Sequence, residues 1–312
     1  MDLQIDILSP RRDLLGECPL WDVRTQSLYW IDARAGLVRR HTPATGAEVD
    51  WQLPAHAGSI ALCESGRLLV ALEEDFRYLE PETGALEPLG VRVAHAADRM
   101  RLNDGRTDRR GRFVVGSMTL GRMAPEGALY QLQAPETADA AGAAEAVRIL
   151  DRGIHVANGT CFSPDGRWLY FADSPTHQVR RHSYDPATGM AGPAEPWVDT
   201  RALGSVPDGA AVDADGCVWV ALVQNGQLVR FTPDGRLDRR IQLPVDFVTC
   251  PCFGGPQLDV IYLTSIRDSG NLLRSDHPDA GAVFAIHGTG VRGLEEARFA
   301  DLPRSPQTRT SP

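Results

Sequence analysis

The stretch SPDGRWLYFADS (163–174) couples a tight turn to a short apolar run. Its Pro presets φ, its Gly supplies the positive φ that such turns need, and the aromatic and aliphatic residues that follow favour a strand. The same arrangement recurs at DVRTQSLYWID (22–32), ESGRLLVAL (64–72), DRRGRFVVGS (108–117), DADGCVWVAL (213–222) and GGPQLDVIYLTS (254–265). Aligned on Trp30, Leu69, Val114, Tyr170, Trp219 and Tyr262, the six units lie 39, 45, 56, 49 and 43 residues apart. That spacing suits four short strands per unit rather than a helical repeat.

Several units continue into a second strand and turn, at LVRRHTPATG (37–46), QVRRHSYDPATG (178–189), QLVRFTPDG (227–235) and, more loosely, FRYLEPETG (76–84). No long apolar stripe of helical period interrupts them. Six such units predict an all-β chain folded as one six-bladed β-propeller of four-stranded antiparallel blades over residues 1–302, with a double β-sandwich as the alternative. The early strand from Leu3 to Leu8 is expected to complete the last blade beside Val283 to Ile286. QAPETADAAGAAEA (133–146) reads as a surface excursion, and PRSPQTRTSP (303–312) as a mobile C-terminal tail.

Composition narrows the chemistry. The chain carries 32 basic against 41 acidic residues, a net charge of -9, with no basic run, so nucleic acid is not an expected partner. All 32 basic residues are arginine, which excludes lysine Schiff bases, pyridoxal phosphate chemistry and the lysine of phosphate-binding loops. No signal peptide and no apolar run of membrane-spanning length is seen, and six cysteines in 312 residues do not make a disulfide framework. A cytoplasmic protein without a membrane partner is the expectation.

In a propeller the innermost strand of each blade lines the central channel, so residues at one phase of the repeat converge near the axis. Glu17 lies 13 residues before Trp30, Asn103 11 before Val114, Asn158 12 before Tyr170 and Asp208 11 before Trp219. Glu17, Asn158 and Asp208 together offer three oxygen donors and a formal charge of -2, a set suited to a divalent cation. The sequences N-D-G and P-D-G also read simply as turns, and spacing alone leaves both readings open.

The chain resembles the senescence marker protein/gluconolactonase family, which includes regucalcin and bacterial sugar lactonases. The resemblance runs from about Leu14 to Arg292. It rests on G-E-C-P at Glu17, R-L-N-D-G at Asn103 followed by G-S-M at Met118, G-A-L-Y at Tyr130, A-N-G at Asn158 and P-D-G at Asp208. The family pattern implies a single divalent ion (Ca2+, Zn2+, Mn2+, Mg2+ or Fe2+) on Glu17, Asn158 and Asp208, and substrate contacts from Arg101 and Asn103. It also implies hydrolysis of a small-molecule sugar lactone to the aldonic acid. The ion would polarise the lactone carbonyl while a water, activated by it or by Asp208 as catalytic base, attacks. One departure stands out: animal members carry acidic residues shortly after G-T-M, where this chain has Gly121 and Arg122, so its substrate pocket is expected to differ.

Competing motifs are missing: no G-x-S-x-G, G-x-G-x-x-G or H-E-x-x-H occurs. Cys250 and Cys252 read as structural, as does His155, although His155 could also line the pocket mouth. Asp104 and Asp173 read as turn-pinning residues, and Cys18 is expected to point away from the channel. The alternative functions are a lactonase for a non-sugar ester, a strictosidine-synthase-like or paraoxonase-like enzyme, and a non-catalytic metal-binding or protein-docking propeller.

Overall fold

Six four-stranded antiparallel sheets account for the strands among the described residues, and each corresponds to one sequence unit. The structure is a computed structural model that describes residues 3–135, 142, 145–270 and 273–301. Much of the 133–146 excursion and all of the 303–312 tail lie outside those residues.

The first strands of blades I to VI are Gly16–Asp22, Ser59–Leu62, Met100–Thr107, Ala157–Phe162, Pro207–Val212 and Val248–Gly254. They touch one another in cyclic order, the sixth returning to the first, which closes the ring into a six-bladed β-propeller. The aligned residues Trp30, Leu69, Val114, Tyr170, Trp219 and Tyr262 all fall on the second strands. Closure follows the expected route, with Gln4–Ile7 pairing antiparallel to Phe284–His287 as the outer strand of blade VI. No helix among the described residues is long and apolar enough to cross a membrane.

The hydrophobic core is divided. Six clusters of buried side chains form, and each fills the gap between two neighbouring blades, as Trp21, Trp30, Tyr262 and Val283 do between blades VI and I. Within two blades a recurring ion pair braces the second and third strands. Asp13 accepts from Trp30 Nε1 at 2.8 Å and Arg39 Nε at 2.6 Å, and Asp213 from Trp219 Nε1 at 2.9 Å and Arg230 Nε at 2.8 Å. In both, the arginine is the cross-strand partner of the tryptophan.

A strap seals the back of the ring. Gly293 bridges Asp213 of blade V and Phe299 bridges Cys63 beside blade II, so the segment between them crosses the channel. From that strap Glu296 pairs at 2.9 Å with Arg106, which stands buried on the first strand of blade III and donates also to Ala210 O of blade V at 3.2 Å. A recess of about 20 Å³ lies on this side between the strap and the channel, room for a single water. The functional cavity is at the other end.

Candidate metal and substrate site

Five of the six first strands carry a register shift near the start, between Glu17 and Leu20, Leu102 and Gly105, Asn158 and Cys161, Pro207 and Ala210, and Val248 and Pro251. A β-bulge adds a residue, increases local twist and re-aims a side chain, and bulges gather at barrel rims and binding sites for that reason. Here they sit at Glu17, Asn103, Asn158 and Asp208. Backbone freedom follows the bulge: Cys18 has φ 47° and Gly159 φ 61°. At Gly209 a Cβ would lie 2.5 Å from Cys250 Cβ, so only glycine lets blade V pack this close to blade VI beside Asp208.

All five expected residues, Glu17, Arg101, Asn103, Asn158 and Asp208, line one cavity of about 300 Å³ at the mouth of the channel. Asn158 and Asp208 are buried and Glu17 is half-buried. Burial, followed by repulsion from Asp208 and Asp104, pushes the Glu17 carboxyl well above the usual carboxylate range. Burial and Asp104 do the same to Asp208, with Arg101 pulling the other way on both. Arg101 itself is lowered, because burial outweighs its attraction to Glu17, Glu73 and Asp208.

The carboxamides form a directed chain. Arg101 Nη1 donates to Asn103 Oδ1 at 2.7 Å and to Leu102 O at 2.9 Å. Asn103 Nδ2 donates to Ala157 O and to Asn158 Oδ1, both at 2.8 Å, and Asn158 Nδ2 donates to Ser174 Oγ at 2.9 Å. Both N–H bonds of Asn103 are thereby engaged within the protein, so this residue orients Asn158 as well as facing the cavity.

Among the described residues no group of three or more His, Cys, Asp and Glu side chains is arranged for a metal ion. The donor set at Glu17, Asn158 and Asp208 is instead two carboxylates and one carboxamide oxygen. It fits a hard divalent cation: all three donors are oxygen, and the two acids are held together where both resist ionising, an arrangement that a bound cation would relieve.

The neighbouring residues take the expected supporting places. Asp104 accepts from Thr160 N of the next blade at 2.7 Å and bonds the backbone of Gly105, and so ties two blades together as well as holding its own turn. Asp173 accepts from the backbone N–H groups of His155 and Val156, both at 3.1 Å, and from His155 Nδ1 at 3.0 Å, which fixes the loop before Asn158. Cys18 faces blade II, its Sγ 3.4 Å from Ile60 O, and Cys250 and Cys252 are fully buried.

What residue spacing missed is the cavity wall. Leu15, Val156 and Val206 line it two residues before Glu17, Asn158 and Asp208, the same station that Arg101 occupies before Asn103. Strand alternation puts i−2 on the same face, so the signal was available in the repeat phase.

Residues 15–267 match the SMP-30/Gluconolactonase/LRE-like region. The 6-deoxy-6-sulfogluconolactonase of Pseudomonas putida is 37% identical over 292 residues, covering 92% of this chain and 95% of that protein. The L-arabinolactonase of Azospirillum brasilense is 32% identical over 309 residues, covering 96% and 97%. Among solved structures, a regucalcin from Agrobacterium tumefaciens, described as a calcium-binding protein, superposes with a TM-score of 0.84 at 26% identity, covering 94% of this chain and 96% of its own. With four fifths of its length inside that family's region and these relatives spanning nearly all of it, the chain belongs to the SMP-30/gluconolactonase/LRE-like family.

Proposed function

We propose that this protein is a divalent-metal-dependent lactonase that opens a sugar lactone to its aldonic acid, with Glu17, Asn158 and Asp208 as metal ligands. The observation that carries the reading is the pair of carboxyls, half-buried Glu17 and buried Asp208, both pushed well above the usual carboxylate range, lining a cavity of single-ring size. Two relatives that cover nearly the whole chain and are named as sugar lactonases support the substrate class.

A divalent ion held on these oxygens would polarise the lactone carbonyl and offset negative charge developing on its oxygen. The chain's residues supply the rest. Asp208, a carboxylate that lines the cavity beside the ion, accepts a proton from the attacking water. Arg101 lines the cavity with a guanidinium that can donate to lactone and hydroxyl oxygens, and Asn103 holds the Asn158 carboxamide in one orientation while facing the substrate.

The test is a panel of aldono-1,4- and 1,5-lactones assayed by pH-indicator acid release with Ca2+, Mg2+, Mn2+ or Zn2+ added to chelator-treated protein. Metal-restored hydrolysis of at least one lactone is expected. If no lactone is opened with any ion while the protein still binds the ion, it is a non-catalytic metal-binding propeller and the proposal fails.

A further inference from the structure

Beside Glu17, Arg101, Asn103, Asn158 and Asp208 the cavity wall is built mostly from aliphatic and thioether side chains, among them Leu15, Met118, Met123, Val156, Val206 and Ile266. Gln224 and two serines are its polar members among the described residues, and one of these, Ser174, already accepts from Asn158. At the station two residues before Glu17, Asn103, Asn158 and Asp208, three of four positions are aliphatic and only Arg101 is not.

Met123 belongs to the loop that follows G-S-M. Leu120 N donates to Arg99 O at 2.7 Å, Thr119 Oγ1 donates to Arg122 O at 2.8 Å, and Arg122 pairs with Glu126. This ion pair ties Arg122 to its own loop. Met123 lines the cavity while remaining 60% exposed, so its thioether is presented to whatever occupies the cavity mouth. A sugar lactone bearing a hydroxyl on every carbon would set oxygens against this wall with few partners. A methyl group or alkyl chain would cover it.

We infer that the cavity selects lactones that are deoxygenated or alkyl-substituted away from the carbonyl, and that Met123 is a specificity-determining residue for that end of the substrate. This inference rests on the lactonase reading above. A hydroxyl placed in an apolar pocket is disfavoured by up to about 100-fold, and for a half-open wall on the order of 10-fold is expected. The discrimination falls in KM, because the contact is remote from the carbonyl and the same in ground and transition states.

The experiment compares kcat/KM for L-mannonolactone against its 6-deoxy counterpart L-rhamnonolactone, and D-galactonolactone against D-fuconolactone, with the ion that gives most activity. Wild type should prefer the deoxy member of at least one pair by about 10-fold. Met123→Asn should reduce the ratio to within about 3-fold, whereas Met123→Leu, which keeps the apolar contact, should preserve it. Because Met123 is exposed, neither change threatens the fold. A preference for the hydroxylated member in both pairs, or a ratio unmoved by Met123→Asn, overturns the inference and leaves the lactonase reading standing. If nothing is hydrolysed, calorimetric binding of the matching cyclic ethers that lack the carbonyl reads the same ratio. A deoxy preference lost in Met123→Asn then supports the inference although the lactonase reading has failed, and equal binding overturns it.

Discussion

Replacing Asp208 by asparagine should make the metal-free protein more stable while removing its response to metal. The change is nearly isosteric at a buried position, so packing is retained and one negative charge facing Asp104 and Glu17 disappears. The lost attraction to Arg101 opposes the gain but is the smaller effect, since the carboxyl is pushed up on balance. Relieving one poorly compensated buried polar group is worth about 1–3 kcal/mol. At ~2–4 °C per kcal/mol for a large domain, Tm should rise by roughly 2–12 °C. The sign with pH is fixed by linkage. A carboxyl raised above its unfolded value, near 4, contributes stability that is fully present below that value and lost as pH climbs through the raised one. The advantage of Asp208→Asn is therefore largest at pH 8 and disappears towards pH 4. Divalent ion reverses the ranking: at 100 times its Kd it stabilises wild type by about 2.7 kcal/mol, and the variant should gain far less. Scanning calorimetry in chelator and in each ion, at both pH values, reads all of this. A variant no more stable than wild type in chelator at pH 8, or one retaining the full metal shift, would refute the account of the site.

Three further outcomes are expected. Asn103→Ala removes one of the two side-chain hydrogen bonds that orient the Asn158 carboxamide and should weaken divalent-ion binding by about 10–100-fold, the usual effect of losing a residue that orients a ligand, measurable by calorimetric titration. Arg101→Ala should leave ion affinity within a few-fold and lower kcat/KM by about 10–100-fold through lost polar contacts to substrate; a lowered Tm with unchanged kinetics would make Arg101 only a brace for Asn103. Arg230→Met strands the buried Asp213 carboxylate, still held by Trp219 Nε1 and the backbone N–H groups of Asp215 and Cys217, and should cost about 3 kcal/mol by denaturant unfolding.

Much of the architecture could be read before any coordinates. Turn chemistry and second-strand apolar runs are local properties, so six blades and their closure by Gln4–Ile7 follow from them. Convergence of Glu17, Asn103, Asn158 and Asp208 was legible because a rotational repeat turns sequence phase into position on the axis. The bulges that aim these residues were not, since a bulge belongs to the pairing of two strands rather than to either one. The strap that bears Glu296 carries no periodic signal, and Arg106 looks like any strand arginine until its partner arrives from 190 residues away. The apolar wall escaped notice for a different reason: polar residues suggest chemistry, and the aliphatic positions beside them read as ordinary core.

The strap across the back has a consequence for traffic. A lactone and the acid it becomes must use the same doorway in opposite directions, and the acid leaves as an anion past the carboxyls beside which it was made. Entry of the next molecule waits for that departure. Product therefore competes with substrate for one position rather than draining away behind it, and accumulated acid slows turnover most when lactone runs low.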